Sequence, residues 1–268
     1  MALALILSSY FLKKEEILQF RTSLWQSIVL LTSFYFFSAS CSFFQESKPL
    51  RNDVKWAKSS IEYAAACLQT YRMAWPIVKA AAAKQTQNWV VVFDVDETVL
   101  DNVQYAVELA EVGAVYTRQS WVEWVKREAA PLIPGARAFI DSVRSLGPKA
   151  HIAFITNRDY DPEEIPTINN LRQVGLFKDG DTMLTERSKK DTKKIRRECL
   201  ETGTGRCEKN GPLVIVALFG DNVRDFVPIW GSDKAIEYRK NIAEDSNWGT
   251  KYFVLPNPTY GSWVNDYK

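Results

Sequence analysis

Histidine is almost absent from this chain: a single one, His151, occurs in 268 residues, beside four cysteines and three methionines. That scarcity excludes zinc-finger arrays and multi-histidine metal sites. It leaves carboxylates as the natural ligands for any cation, which points towards Mg2+-type chemistry. An excess of one charge sign is lacking too. Lys+Arg 34 against Asp+Glu 32 gives a net charge of +2, so nothing global argues for nucleic acid or an acidic polymer as partner, and any recognition of phosphate must be local. Glycine (12) and proline (11) are too few for a fibrous or disordered chain, and 46% hydrophobic with 25% charged residues is an ordinary globular composition. The length allows one large domain, or one core with an appendage, and argues against a fusion of two enzymes.

The uncharged run SIVLLTSFYFFSAS (27–40) is shorter than the roughly 20 residues of a bilayer-spanning helix. It follows Arg21 and ends in small residues before Cys41, which resembles an export signal. Ser38-Ala39-Ser40-Cys41 resembles a bacterial lipobox, with serine where leucine is usual. The expectation is therefore an exported protein held at the outer membrane or in the periplasm through a lipid on Cys41. The rivals are a cleaved soluble form, an uncleaved anchor, and a cytoplasmic protein whose start codon is misassigned.

Beyond this leader the chain divides into a helical segment over 41–84 and a core over 85–268. From Asn52 or Asp53, either a good N-cap, the residues are helix formers, with Ile61, Ala64, Leu68 and Tyr71/Trp75 at helical spacing and Pro76 ending or kinking the helix. Four β-branched or aromatic runs then read as strands: WVVVF, HIAFIT from 151, LVIVALF from 213 and YFVL from 252. Helical patterns near 134–146, 167–174 and 188–200 alternate with them, which predicts an α/β fold with a Rossmann-like, mostly parallel sheet covered on both sides. Such a sheet places its ligand site at the carboxyl ends of the strands. Asp94 and Asp96, Thr156 and Asp221 all fall there. His151 opens a strand and reads as structural.

FDVDETVLDN (93–102) puts two carboxylates two residues apart just after a strand. Both side chains can share one side, or a turn can aim one carboxylate and one backbone carbonyl at a cation. This suits covalent phosphoryl transfer, in which one Asp attacks phosphorus while the other protonates the leaving oxygen and later takes a proton from water. Thr156, with the backbone amides of Asn157 and Arg158, can bind phosphoryl oxygens. In SKKDTKKIRREC, Ser188 and Asp191 are spaced like a capping box, which brings Lys193 into the early turns of a helix near the sheet edge. Most of the seven basic residues from Arg187 to Arg197 read as a solvated face. In GDNVRDF, Asp221 can ligate the metal and Asp225 can brace it. Cys199 and Cys207 flank a Gly-rich stretch and either close a short disulfide loop in an oxidising compartment or are unrelated thiols. Cys67 reads as a small buried hydrophobe.

In that order and placement, FDVDETVLDN, the Thr of FITNR, a helix-borne Lys and GDNxxDF resemble the motifs of the haloacid dehalogenase superfamily, in particular its DDDD phosphohydrolases. The strings DETVLDN, SWVEWV, PLIPGA, FITNRD and LPNPTYGSW resemble the class C acid phosphatases, bacterial outer-membrane lipoprotein 5′-nucleotidases, over nearly everything after residue 50. That resemblance implies Asp94 as nucleophile and Asp96 as general acid/base. It implies Mg2+ on the Asp94 side chain, the Asp96 backbone carbonyl and Asp221, and phosphate on Thr156 and Lys193, with Lys190 in reserve. It implies nucleoside stacking on Trp121 and Tyr260, a small helical cap near 103–133, and a homodimer. Trp124 reads as packing, and Tyr105 is open between packing and ligand. The stretch ETGTGRCEKNGP is longer than the family's short turn, and Arg224 stands where an acidic or neutral residue is usual. The function expected is an Mg2+-dependent phosphomonoesterase acting on nucleoside 5′-monophosphates or nicotinamide mononucleotide-like esters. The alternatives are a broad acid phosphatase or phosphotransferase, and a ligand-binding surface lipoprotein with a dead phosphatase fold.

Overall fold

The computed structural model describes residues 49–266; the leader over 1–40 and Cys41 lie outside them. Two helices open this part, α1 (Asn52–Ser59) and α2 (Ile61–Ala83). Ser60 between them is extended, and its Oγ accepts the Tyr63 amide at 3.0 Å. The single helix expected from Asn52 or Asp53 is thus two, because a serine that caps a new helix does not continue the old one. The residue before α1 is Arg51, which makes no side-chain cap. Nor does Pro76 end a helix; it lies inside α2, on an exposed face it shares with Arg72. The Arg72 carbonyl that loses its amide partner is on the solvent side, where water can satisfy it. The buried stripe of α2 is Tyr63, Cys67, Tyr71, Ala74, Val78 and Ala82, while Ile61 is 83% exposed. The seam mixes small residues with two tyrosines, and the Tyr71 ring stacks on Phe219 of the sheet at 5.3 Å. Cys67 is buried and free, as expected.

Five parallel strands, β1 (Trp89–Phe93), β2 (Ala150–Asp159), β3 (Thr182–Glu186), β4 (Val214–Gly220) and β5 (Tyr252–Val254), form one sheet in the order β3-β2-β1-β4-β5. The sequence reading missed β3. TMLTE is a five-residue edge strand carrying two threonines and a glutamate, and it lacks the apolar run that marks the central strands.

On one face of the sheet, Val91, Phe93, Phe154 and Phe219 pack with α2, with α5 (Ala136–Arg144) and with Leu171 of α6 (Tyr160–Gln173). The rings of Phe93 and Phe253 lie 5.0 Å from that of Phe219. The other face packs Val90, Val92, Ile155, Leu184 and Leu218 with Leu200 of α7 (Lys193–Thr202). Period-two alternation along β1 thus feeds both layers, as a fully buried parallel strand requires. The helices expected near 134–146, 167–174 and 188–200 are α5, α6 and α7. α6 begins earlier than its apolar pattern, with a break at Asp161 and Pro162. Residues 103–133 contain α3 (Val103–Glu111) and α4 (Arg118–Lys126), and the chain closes with α8 (Ser232–Lys240) and α9 (Trp263–Asp266). No helix among the described residues is long and apolar enough to cross a membrane.

The ETGTGRCEKNGP stretch is ordered. A disulfide joins Cys199 to Cys207 across a short 3-10 helix, Gly205–Asn210. Gly203 ends α7 at φ +63°, where a Cβ would sit 2.3 Å from the Gly211 carbonyl carbon, so only glycine fits that turn.

Candidate active site

β1 delivers Asp94 directly to the carboxyl edge of the sheet, where its amide donates to the Phe219 carbonyl at 2.9 Å. Phe219 and Gly220 end β4 beside it, so Asp221 emerges next to Asp94. One carboxylate oxygen from each of Asp94, Asp221 and Asp225 falls within 4.8 Å of the others. Asp225 comes this close because Gly220 has no side chain; a Cβ there would lie 2.3 Å from Asp225 Oδ2. The Asn222 amide donates to that same oxygen at 2.8 Å and locks the turn. Asn257, from the loop after β5, donates its Nδ2 to Asp221 Oδ2 at 2.7 Å.

Lys193 is the cation among these acids, only 8% exposed, with Nζ 2.5 Å from both Asp94 Oδ1 and Asp225 Oδ1. It is the first residue of α7, and the N-cap is Thr192, whose Oγ1 accepts the Ile195 amide. The capping box expected from Ser188 and Asp191 does not form. Asp191 instead accepts the Arg187 amide at 3.0 Å and Arg206 at 2.8 Å, closing the preceding loop on itself. Lys190 is exposed, which removes it as the alternative to Lys193.

Burial pushes the Asp94 carboxyl above its ordinary range. Lys193 pulls it down, while Asp225 and Asp96 push further up. Burial does the same to Asp221, helped by Asp225 and Asp94. Burial works against the Lys193 ammonium, but Asp225 and Asp94 outweigh it and hold the proton on. Lys193 and Arg197, whose Nη1 donates to the Asp225 backbone carbonyl at 2.6 Å, are the buried cations beside these three acids, and the acids outnumber them. An all-oxygen donor set with that excess of acid fits a divalent cation.

Asp96 does not join this cluster through its side chain. Its carboxylate is turned to Arg158, which donates from Nη2 and Nε to Oδ1 at 2.7 and 3.0 Å, and to Asn102, whose Nδ2 donates at 2.9 Å. As a side-chain ligand Asp96 is thus withdrawn, and only its backbone carbonyl remains for that role. Glu97, next along, is buried at φ +53°, a left-handed conformation that costs a side-chain-bearing residue roughly 1–2 kcal/mol. Its Oε1 accepts the Asn102 amide at 2.9 Å, and burial, with Asp96 and Asp221 nearby, raises its pKa well above the usual range. Tyr71 donates to the Thr98 carbonyl at 2.7 Å and ties α2 to this loop.

Thr156 is buried inside β2, which runs three residues past the expected HIAFIT ending, with its Oγ1 3.5 Å from Asp96 Oδ2. The expected anion-binding amides are only partly free, since the Arg158 amide donates to Thr156 Oγ1 at 3.1 Å. The exposed Asn157 accepts Arg196 on its Oδ1 at 2.6 Å. Trp121, on α4, is half-buried, edge-on to Tyr105 at 5.3 Å and 5.4 Å from the Arg158 guanidinium. Tyr260 is exposed, three residues beyond Asn257. Trp124 is buried and donates to Asn102 Oδ1 at 2.8 Å, so packing and orientation of Asn102 are its work; Tyr105 is buried too and bonds Ser120. His151 pairs with Val90 near the start of β2, away from this edge, and burial lowers its pKa. Arg224 lies 4.1 Å over Trp230 and donates to the Ile229 carbonyl.

The sequence reading therefore brought Asp94, Asp221, Asp225, Lys193 and Thr156 to one edge. It missed the side chains of Arg158, Glu97, Asn102 and Asn257, all of which stand inside motifs it had singled out.

A family model described as HAD superfamily, subfamily IIIB (Acid phosphatase) matches residues 44–263. Among solved structures, the class C acid phosphatase from Bacillus anthracis with tungstate bound is 29% identical over 81% of this chain and 88% of that chain, with a TM-score of 0.66. Another structure of the class C acid phosphatase from Bacillus anthracis is 28% identical over 80% and 86%, with a TM-score of 0.67.

Proposed function

The chain belongs to subfamily IIIB of the HAD superfamily, the acid phosphatases, and is a phosphomonoesterase; on that premise we propose that it hydrolyses nucleoside 5′-monophosphates or nicotinamide mononucleotide-like esters through an aspartyl-phosphate on Asp94. The observation that carries this reading is the convergence of Asp94, Asp221, Asp225 and Lys193 at the ends of β1, β4 and α7. One carboxylate oxygen of Asp94, whose Oδ1 accepts Lys193, attacks phosphorus as the bond to the leaving oxygen breaks, and the other remains for the cation. Asp96 gives that oxygen its proton, then takes one from the water that releases phosphate from Asp94. Thr156 and Lys193 bind the phosphoryl oxygens. Mg2+ held by Asp94, Asp221 and the Asp96 backbone carbonyl, with Asp225 bracing, would supply positive charge to those oxygens. That a Bacillus anthracis relative binds tungstate, a tetrahedral oxyanion, supports an oxyanion site here.

Trp121 and Tyr260 are the proposed base platform. A stacked base contributes about 1–3 kcal/mol, so Trp121→Ala or Tyr260→Ala should raise KM for a nucleotide about fivefold or more and spare a small aryl phosphate. Steady-state kinetics on both substrates checks this, and equal losses would return the two rings to the packing. We place the enzyme outside the cytoplasm, held through Cys41 and acting as a homodimer. The 27–40 run and the family resemblance support that placement, and the Cys199–Cys207 disulfide suits an oxidising compartment.

The decisive test is phosphate release from nucleotides, sugar phosphates and nitrophenyl phosphate, with and without chelator. Nucleotides should show the highest kcat/KM, and chelation should cut turnover at least about tenfold until Mg2+ is restored. Equal turnover of sugar phosphates would make this a broad acid phosphatase. If no ester were cleaved by metal-loaded protein, the inactive-fold alternative would stand instead.

A further inference from the structure

Thr156 and Arg158 lie two apart on β2, so both side chains leave the same side of the strand, towards Asp96. The Arg158 guanidinium is buried, and each of its nitrogens has a protein acceptor. Nε and Nη2 fork onto Asp96 Oδ1 at 3.0 and 2.7 Å, and Nη2 also reaches Asn102 Oδ1 at 3.3 Å. Nη1 donates to Thr167 Oγ1 at 3.1 Å, whose own hydroxyl donates to the Glu163 carbonyl. With Asn102 Nδ2 at 2.9 Å, Asp96 Oδ1 receives three donors. Oδ2 receives only long ones, Arg158 Nε at 3.3 Å and Thr156 Oγ1 at 3.5 Å. The two oxygens of one carboxylate are thus unequal: Oδ1 is saturated, and Oδ2 faces the Thr156 side, where the phosphoryl group is placed. The same guanidinium lies 5.4 Å from the Trp121 ring.

We infer that Arg158 is a positioning residue that anchors Asp96 by Oδ1, so that Oδ2 is the oxygen that exchanges the proton with the leaving group. The inference rests on Asp96 being the proton donor. A plain ion pair for stability would not need a fork to one oxygen, nor an asparagine completing that oxygen's shell. Lysine could replace the charge but not the fork, because it presents a single point donor.

The test compares kcat on a nucleotide, whose alkoxide needs a proton to leave, with kcat on nitrophenyl phosphate, whose phenolate leaves without one. Arg158→Ala should lower nucleotide turnover by up to about 10²-fold, the cost of roughly 1 Å of misplacement, and nitrophenyl turnover far less. Added guanidinium should restore part of the nucleotide rate, and Arg158→Lys should remain selectively impaired. Equal loss on both esters, or no rescue, would overturn the inference. Should the alanine variant not fold, the lysine variant's selectivity decides alone. Asp96→Asn is the reference: if it slows both esters equally, the proton-donor reading fails, whereas selective Asp96→Asn with unselective Arg158 variants defeats only the positioning role.

Discussion

Asp94→Asn should lower kcat by at least about 10³-fold on every phosphoester, activated or not, because the covalent step has no substitute nucleophile. The amide is the same shape as the carboxylate, so packing against β4 is preserved. It also removes one of three acids crowded round Lys193. Relieved repulsion means that thermal stability should hold or rise while activity disappears. Turnover near the parent value in a rapid-quench assay would refute the nucleophile assignment. A parallel collapse of the thermal transition would show that Asp94 is needed for the fold instead.

Lys193→Met is expected to fail in both respects. Methionine fills much of the side-chain volume but leaves Asp94 and Asp225 without the ammonium that bonds both carboxylates, since the buried Arg197 reaches only the Asp225 backbone carbonyl. Removing one partner of a buried, hydrogen-bonded ion pair typically costs about 3–5 kcal/mol. The denaturant midpoint should fall accordingly in metal-free protein. Added divalent metal should recover stability, since it supplies the missing charge, but turnover should stay about 10²-fold down without the ammonium on the phosphoryl oxygens. A variant with parental midpoint and kcat would show that the 2.5 Å contacts to Asp94 and Asp225 are dispensable, and the charge argument for the site would go with them.

Much of this was legible in residue order because strand endings are local. WVVVF and VIVALFG stop where an acidic residue begins, and a parallel sheet brings such endings to one edge whatever lies between them. Asp94, Asp221 and Thr156 were readable for that reason, as was the fold class. The helical stripe of α2 was only partly read, with Tyr71 on it, because the small residues Cys67 and Ala74 are fully buried there while a hydrophobicity pattern favours large ones such as the exposed Ile61. β3 escaped because an edge strand needs backbone partners more than apolar side chains. The Ser188 and Asp191 spacing fitted a capping box, but Arg206, brought in by the Cys199–Cys207 loop, competes for Asp191.

What residue order determined by itself was the set of elements and the chemical groups at their ends, since periodicity and turn chemistry act over a few neighbouring residues. Which acid answers to which cation was decided only by the tertiary structure. Lys193 meets Asp94 across 99 residues and Arg158 meets Asp96 across 62. Coulomb attraction and hydrogen bonding depend on ångströms in space, and separation along the chain does not enter them. That is why the sequence could name both aspartates, while only the fold could give one an ammonium and the other a guanidinium.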